Sequence, residues 1–308
     1  MNILGLVENY DVITIFRHTA ADQDALGSQF GLKYYLQNAY PEKKIYALGE
    51  DLGGAAYLFP AIDKAEDEDI KKSIAFILDT ADTSRIDDER YQNADKIVKI
   101  DHHIVVEDYA DETFVDTSAA ATCEILAFLF QGSGVPVSKE SAQYLYYGLL
   151  ADSISFTTTN TTANTLLAAA YLISCGLDVS EIAQLCSGMS ENDFRYINEI
   201  RNRVIVKGKV AYSIMKEEDY TKYGMGYNQA KEKVFALANV NEFQMWCLFT
   251  EDTTYGERDL FNGSLRSKST AINEVANRFN GGGHKNACGV KKLTLSDIET
   301  LVEEFNQL

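Results

Sequence analysis

Cysteine is scarce in this sequence, and its distribution excludes two kinds of site. Five cysteines occur among 308 residues, and no two of them form a Cys-x-x-Cys pair. An odd, scattered set argues against both a disulfide framework and a thiolate zinc site. We therefore do not expect cysteine chemistry to carry the function.

Basic residues are also few. Lysine and arginine total 28 against 46 aspartates and glutamates, which gives a formal net charge of −18. Tight binding to long nucleic acid depends on many basic contacts to phosphate, so a long duplex or an anionic membrane is a disfavoured partner. A small anionic substrate stays compatible with this charge if bound metal cations supply local positive charge.

Proline and long apolar runs are lacking as well. The sequence has three prolines, no low-complexity tract, and no stretch near the ~18 consecutive apolar residues that span a bilayer. Residues 1–10 lack the basic start and apolar run of a signal peptide. We therefore expect a soluble, cytoplasmic protein.

The first half alternates short apolar strands with helices. Strands are predicted at 12–16, 45–48, 73–78 and 96–100, and helices at 25–40, 119–151, 162–175 and 180–204. Continuous apolar strands separated by helices indicate an α/β fold with a Rossmann-like parallel sheet and flanking helices.

The second half has a different pattern. A hairpin is predicted around Gly208 and Lys209, followed by strands at 242–250 and 259–266, a helix at 270–279 and a final amphipathic helix. These elements indicate a smaller C-terminal α/β domain with a mixed sheet. We divide the chain into a catalytic domain at 1–190, a connecting helix at 191–203 and a second domain at 204–308.

Histidine occurs only four times, and each histidine follows a predicted strand or a glycine-rich run. His18 follows the strand at 12–16, with Asp22 and Asp24 close behind. Two carboxylates and one imidazole suit a hard or borderline divalent cation such as Mn²⁺. The alternative is that both aspartates only cap the following helix.

Further ionisable residues end the neighbouring strands. Asp79 directly follows the strand at 73–78, and Asp101, His102 and His103 directly follow the strand at 96–100. Burying three successive polar residues in a core would cost free energy, so a purely structural role is disfavoured for them. Open α/β sheets bind ligands at the carboxyl ends of their strands. Asp152 follows an apolar helix. An aspartate is common at the end of a helix, so the assignment of Asp152 to a metal site depends on the other residues. Together these positions predict a metal site at one sheet edge.

A glycine-rich run marks the second domain. Gly281, Gly282 and Gly283 precede His284, and glycine lets backbone N–H groups approach a phosphate or a nucleobase edge. Arg266 lies upstream and suits bidentate contact with phosphate. The alternative is that the three glycines only end a helix.

These motifs resemble those of a known family. The pattern His18-x-x-x-Asp22-x-Asp24-Ala25-x-Gly27, then Asp79, Asp101-His102-His103 and Asp152, is similar to the four motifs of the DHH phosphoesterase superfamily. The run from Gly281 to Ala287 and the pair Arg266-Ser267 resemble the DHH-associated C-terminal domain. The chain departs from the family at Ala21, where many members have proline, and at Cys288, where a small residue is common.

The resemblance implies a site with two divalent cations, of which Mn²⁺ is favoured and Mg²⁺ or Co²⁺ is compatible. It implies one ion held by His18, Asp22 and Asp79, and a second held by Asp24, Asp79, His102 and Asp152. Asp101 would orient a ligand and His103 would face the scissile phosphate. The implied substrate-binding residues are Arg266, Ser267, Gly281, Gly282, Gly283 and His284.

Within the family, the chain is most similar to the nanoRNase/pAp phosphatase group. This similarity implies hydrolysis of oligoribonucleotides of two to five nucleotides to mononucleotides, and of 3′-phosphoadenosine 5′-phosphate to AMP. Two cations about 3.5–4 Å apart can activate hydroxide for attack on phosphorus. The alternatives are a phosphodiesterase for cyclic or linear dinucleotides and a non-catalytic nucleotide-binding regulator. The helices between Ser138 and Cys186 could pack against another subunit as easily as against the sheet, so a homodimer is compatible with the sequence.

Overall fold

The computed structural model describes residues 1–50, 52 and 57–308. The chain divides into two compact units, Met1–Ser187 and Gly188–Leu308. The domain boundaries drawn from the sequence, with a connecting helix at 191–203, stay a prediction.

Five parallel strands form the sheet of the first unit: β1 (Val12–Phe16), β2 (Lys44–Ala47), β3 (Ile74–Leu78), β4 (Lys96–Asp101) and β5 (Glu112–Val115). They pair in the order β2-β1-β3-β4-β5. Every residue of β1 and β3 is buried, because both faces of such a parallel sheet are covered. The predicted α/β architecture with a parallel sheet is confirmed.

The described residues of the same unit form seven α-helices: α1 (Ile3–Val7), α2 (Gln23–Ala39), α3 (Asp67–Ile70), α4 (Thr122–Ser133), α5 (Lys139–Asp152), α6 (Ala163–Ser174) and α7 (Val179–Ser187). Helices α2 and α5 pack so closely that Gly148 has no room for a side chain. A Cβ there would lie 2.4 Å from Sγ of Cys123 and 2.9 Å from Cα of Asp24. The contact brings the start of α2 against the last turns of α5.

The lengths and compositions of the helices bear on membrane crossing. Within the part of the chain that the structure describes, no single helix is long and apolar enough to cross a bilayer. The pair Ala163–Ser174 and Val179–Cys186, bent by 115°, meets that test of length and composition when taken together.

The second unit contains one mixed sheet of six strands: β6 (Ile205–Lys207), β7 (Val210–Met215), β8 (Met245–Glu251), β9 (Phe261–Ser267), β10 (Gly282–His284) and β11 (Ala287–Leu293). Their order is β10-β11-β9-β8-β7-β6, with β7 and β8 parallel and the other neighbours antiparallel. The predicted mixed sheet and the hairpin at Gly208 are therefore confirmed.

Five helices pack on this sheet: α8 (Glu191–Asn202), α9 (Glu217–Thr221), α10 (Tyr227–Lys231), α11 (Asn273–Arg278) and α12 (Leu295–Gln307). Strand β9 alternates buried and partly exposed residues. Phe261 and Leu265 join the apolar cluster that contains α11 and α12. The alternate residues Asn262, Ser264 and Arg266 lie on the opposite face, and they form part of a groove described below.

Candidate metal centre

The predicted ligands come together within the first unit. His18 follows β1, Asp79 follows β3 and His102 follows β4, and these three strands are neighbours in the sheet. Because the strands are parallel, their carboxyl ends meet at one edge. The three remaining predicted ligands lie at the ends of helices: Asp22, Asp24 and Asp152.

The first group that could hold a metal ion contains His18, Asp22 and Asp79, whose ligand atoms lie within 4.8 Å of one another. Nε2 of His18 is 3.6 Å from Oδ2 of Asp22 and 3.5 Å from Oδ2 of Asp79. The other oxygen of Asp22 accepts hydrogen bonds from the backbone N–H groups of Asp24 and Ala25. Asp22 therefore caps helix α2 with one oxygen and faces the centre with the other.

The second group contains Asp24, His102 and Asp152. Nε2 of His102 lies 3.4 Å from Asp152 and 3.9 Å from Asp24. Among the described residues, this buried nitrogen has no hydrogen-bond partner. A buried imidazole nitrogen that is surrounded by carboxylates and makes no hydrogen bond is the arrangement expected of a metal ligand.

Asp79 faces both groups. Its Oδ2 is directed at His18, while its Oδ1 lies 3.4 Å from Nε2 of His102 and accepts a hydrogen bond from the hydroxyl of Thr122 at 3.0 Å. The backbone of Asp79 has a φ of +54°, a left-handed conformation that is uncommon for residues other than glycine. Such strain clusters at functional sites, and it directs this carboxylate into the middle of the cluster.

The crowded carboxylates perturb protonation at this centre. Burial, and then the negative charge of Asp24, raises the pKa of both Asp79 and Asp152 well above the usual range. Burial alone would lower the pKa of His18, but the facing carboxylates of Asp22 and Asp79 outweigh it and raise that pKa to about 10. The cluster therefore retains protons to balance its charge, and a divalent cation would replace them.

Asp101 contacts the second histidine of the pair. Its Oδ1 lies 2.8 Å from Nδ1 of His103, and its Oδ2 lies 3.4 Å from Nζ of Lys99. Burial would raise the pKa of Asp101, but the hydrogen bond with His103 lowers it, and the same bond raises the pKa of His103. His103 also lies 3.5 Å from Asp79 and forms a third metal-capable group with Asp79 and His102.

The glycine-rich run lies in the second unit, where it lines a groove of about 690 Å³ together with Arg266 and His284. Gly281, Gly282 and Gly283 all contribute to this groove. Ser267 is not among the lining residues: it is buried, donates its hydroxyl to the carbonyl of Thr270 and accepts from the amide of Asn286. The structure thus brings together five of the six predicted substrate-binding residues.

Two of the three glycines are required by packing. Gly283 has a φ of +137°, and a Cβ there would lie 2.5 Å from the carbonyl oxygen of Ala287. A Cβ on Gly281 would lie 2.1 Å from the carbonyl oxygen of Gly289. Gly282 and Gly283 begin strand β10. The run does not cap α11, because the left-handed residue after that helix is Asn280.

The groove is also lined by residues that were not predicted, and three of them are Tyr227, Lys231 and Asn262. Tyr227 and Lys231 come from helix α10, and Asn262 comes from β9. Asn262 donates to the hydroxyl of Tyr227 at 2.7 Å, and Nζ of Lys231 lies 5.2 Å from the centre of the Tyr227 ring. The only sequence signal was an aromatic residue and a lysine one helical turn apart, which is too common to indicate a binding site.

Comparison with known proteins identifies the class of protein. Residues 12–149 match the DHH family, N-terminal domain, and residues 207–308 match the DHHA1 domain. The chain belongs to the DHH family of phosphoesterases, which are metal-dependent hydrolases of phosphate esters. The predicted family and enzyme class are confirmed.

Two relatives resemble the chain over almost its whole length. The probable bifunctional oligoribonuclease and PAP phosphatase NrnA of Streptococcus mutans is 32% identical, over 99% of this chain and 97% of the relative. The bifunctional oligoribonuclease and PAP phosphatase NrnA of Bacillus subtilis is also 32% identical, over 98% of each chain.

A solved structure shares the fold. The exopolyphosphatase-related protein from Bacteroides fragilis matches with a TM-score of 0.83 at 23% identity, over 98% of this chain and 95% of that chain. The agreement extends over both units and confirms the fold.

Proposed function

We propose that this chain is a two-metal phosphoesterase that hydrolyses short oligoribonucleotides to mononucleotides and 3′-phosphoadenosine 5′-phosphate to AMP. The observation that carries the proposal is the position of Asp79, whose two carboxylate oxygens face two different groups of metal-capable side chains. The names of the two relatives, which refer to an oligoribonuclease and PAP phosphatase, supply the substrate class.

The donor set fits two hard or borderline divalent cations. His18, Asp22 and Asp79 would hold one ion, and Asp24, Asp79, His102 and Asp152 would hold the other. Oxygen and imidazole ligands without a thiolate suit Mn²⁺, which we favour, as well as Mg²⁺ or Co²⁺. When bound, such ions lower the pKa of a water molecule and neutralise charge on the phosphoryl oxygens.

His103 has a distinct role in this proposal. Its side chain is 42% exposed, and its Nδ1 is engaged by Asp101, so Nε2–H is the group available to a substrate. The hydrogen bond with Asp101 fixes the ring and favours its protonated form. His103 would therefore donate a hydrogen bond to the scissile phosphate, or a proton to the leaving oxygen.

Arg266 and His284 are proposed to recognise a phosphate or a base of the substrate. No carboxylate among the described residues lies within 4.0 Å of the Arg266 guanidinium, which donates only to the backbone carbonyls of Leu265 and Cys288. Arginine with free N–H groups in a glycine-lined groove suits an anionic oxygen. Ser267 is proposed to support the groove indirectly, because its hydroxyl accepts a hydrogen bond from the side-chain amide of Asn286.

The setting of the reaction completes the proposal. We place the enzyme in the cytoplasm and expect neither a long duplex nor a membrane among its partners, in keeping with the formal charge of −18. A homodimer would use the outward face of α6 and α7, where Leu166, Leu167 and Leu185 are exposed.

The decisive experiment measures the rates at which the Mn²⁺-loaded protein hydrolyses five substrates: a two-nucleotide RNA, a 24-nucleotide RNA, 3′-phosphoadenosine 5′-phosphate, a cyclic dinucleotide and pyrophosphate. Asp79→Ala is the test variant. Asp178→Asn is the control, because Asp178 caps α7 far from the metal ligands in sequence, and asparagine caps a helix equally well.

We expect rapid conversion of the two-nucleotide RNA to mononucleotides and slow action on the 24-nucleotide RNA. The Asp79→Ala variant should be inactive, and the Asp178→Asn control should have wild-type activity. Chelation of the metal should abolish turnover, and added Mn²⁺ should restore it. A preference for the cyclic dinucleotide or for pyrophosphate would refute the substrate assignment. Nucleotide binding without turnover of any substrate would refute catalysis.

A further inference from the structure

A short 3₁₀ turn, Thr83–Arg85, carries an arginine to the edge of the metal centre. The backbone N–H of Thr19 donates to the carbonyl of Arg85 at 2.6 Å, and an isolated β-bridge pairs His18 with Ile86. Asp82 caps the turn through the N–H of Ser84. The segment that carries Arg85 is thus fixed against the segment that carries the first ligand.

The guanidinium of Arg85 lies beside His18 without forming a true hydrogen bond to it. Nη2 of Arg85 is 3.2 Å from Nδ1 of His18, and the same Nδ1 is 2.8 Å from the carbonyl oxygen of Thr19. A carbonyl only accepts, so Nδ1 carries a hydrogen and donates it to Thr19, while Nε2 faces the aspartates. The Nδ1–H group of His18 and the guanidinium of Arg85 are both donors, so neither accepts a hydrogen bond from the other. The guanidinium N–H groups therefore stay available to another acceptor.

Two other cations near the centre already have partners. Arg17 is buried and ion-paired with Asp87 at 2.6 Å, and Lys99 lies 3.4 Å from Asp101. Arg85 is exposed, and no carboxylate of the described chain lies within 4.0 Å of it. An arginine without an acidic partner is notable in a chain with 46 acidic residues.

The charge of the centre explains what such an arginine can do. Two divalent cations held by Asp22, Asp24, Asp79 and Asp152 would form an assembly of about zero formal charge, to which a phosphate ester would add negative charge. A fixed cation at that place stabilises the negative charge that develops in the transition state, and the planar guanidinium matches two phosphoryl oxygens.

We propose that Arg85 donates its guanidinium N–H groups to the non-bridging oxygens of the scissile phosphate. The inference rests on the proposed phosphoesterase function and adds a residue that contacts the substrate at the reacting phosphorus. The backbone hydrogen bond between Thr19 and Arg85 keeps this residue beside the centre before the substrate arrives.

The test compares Arg85→Ala and Arg85→Lys with Arg195→Ala, an exposed arginine paired with Glu191 on one helix, whose loss should have little effect. We expect Arg85→Ala to lower kcat/KM on a dinucleotide by about 100-fold, the loss typical of one such donor. Arg85→Lys should lose less, and added guanidinium should restore part of the activity of Arg85→Ala only.

A second readout does not depend on turnover. Inorganic phosphate that reaches the centre changes the electron paramagnetic resonance spectrum of bound Mn²⁺, and we expect Arg85→Ala to weaken this phosphate binding by about tenfold. Mn²⁺ affinity and thermal stability should stay at the wild-type level in the same variant.

The outcomes distinguish a failure of the role proposed for Arg85 from a failure of the proposed phosphoesterase function. A loss of Mn²⁺ affinity that accounts for the loss of activity would show that Arg85 only supports His18, and would overturn the proposal. Unaltered kcat/KM and unaltered phosphate binding would also overturn it. Absence of turnover in the wild-type protein would contradict the proposed function, while the phosphate titration would still report on Arg85.

Discussion

The two units gather opposite charges in different parts of their sheets. In the first unit, aspartates crowd at the carboxyl edge of a parallel sheet, and burial followed by the charge of Asp24 raises the pKa of Asp79 and Asp152. In the second unit, Lys231, Arg266 and Lys291 line a groove on a sheet face, and within the described chain none of the three has a carboxylate within 4.0 Å.

The difference suggests that chemistry and recognition are separable in this molecule. A cluster of acids is stable only with protons or cations, and a cluster of unpaired cations binds an anion. Variants of the first unit should therefore alter metal binding and turnover, whereas variants of the second should alter the affinity for substrate. Three substitutions test this division, beginning with the one expected to have the largest effect.

Gly148→Ala should damage the first unit most. Its Cβ would collide with Cys123 and with the backbone of Asp24, so we expect a loss of about 1–3 kcal/mol in the free energy of unfolding. The displaced Asp24 should also weaken Mn²⁺ binding, measured by calorimetry.

Gly132→Ala is the matched control, because a Cβ at Gly132 meets nothing within 4 Å. Alanine is the better helix former and should leave stability equal or raise it by up to about 1 kcal/mol. Equal denaturation midpoints and equal Mn²⁺ affinities for the Gly148 and Gly132 variants would contradict the close packing of α2 against α5.

Arg266→Ala should act on substrate affinity. Removing a charged donor to an anionic oxygen should raise KM for the dinucleotide by about tenfold, while kcat and Mn²⁺ affinity change little. Arg258→Ala is the control, since Arg258 is 71% exposed and paired with Glu217. If kcat falls as strongly as KM rises, the division between the units does not hold.

Gly289→Leu should have the smallest effect. Gly289 lines the groove, and a Cβ there would meet only the carbonyl oxygen of Gly263, at 3.8 Å. Leucine would fill the groove without disturbing the sheet, so KM should rise by roughly fivefold while thermal stability stays constant. Gly289→Ala should resemble the wild type, and an unaltered KM for the leucine variant would show that the substrate does not use this groove.

The predictable parts of the fold are the buried ones. The apolar runs at 12–16, 73–78 and 96–100 identify β1, β3 and β4 because central parallel strands contain almost only apolar residues. Their ends also locate His18, Asp79 and His102, since the edge of such a sheet is a known place for ligands. The assignment of each ligand to one ion stays a prediction.

Three strands were not predicted, for physical reasons. Strand β5 is half exposed and only four residues long. Strand β10 contains two glycines, which weaken any strand signal. In β11 the pairing register shifts between Val290 and Leu293, which disrupts the alternation of buried and exposed residues.

Contacts made only by the tertiary fold could not be predicted either. Thr122 donates to Asp79 across 43 residues, and Arg85 meets His18 across 67 residues. Both residues are ordinary in their local sequence, and only the packing of distant segments gives them a place at the centre.

The carboxylate of Asp24 has a consequence for the order of folding. It accepts the backbone N–H groups of Thr122 and Cys123, which lie 98 and 99 residues further along the chain. Contacts of such separation form late, because the entropy of closing a long loop is lost before the contact is gained. We therefore expect the centre to stay open during synthesis until helix α4 has emerged and packed against α2.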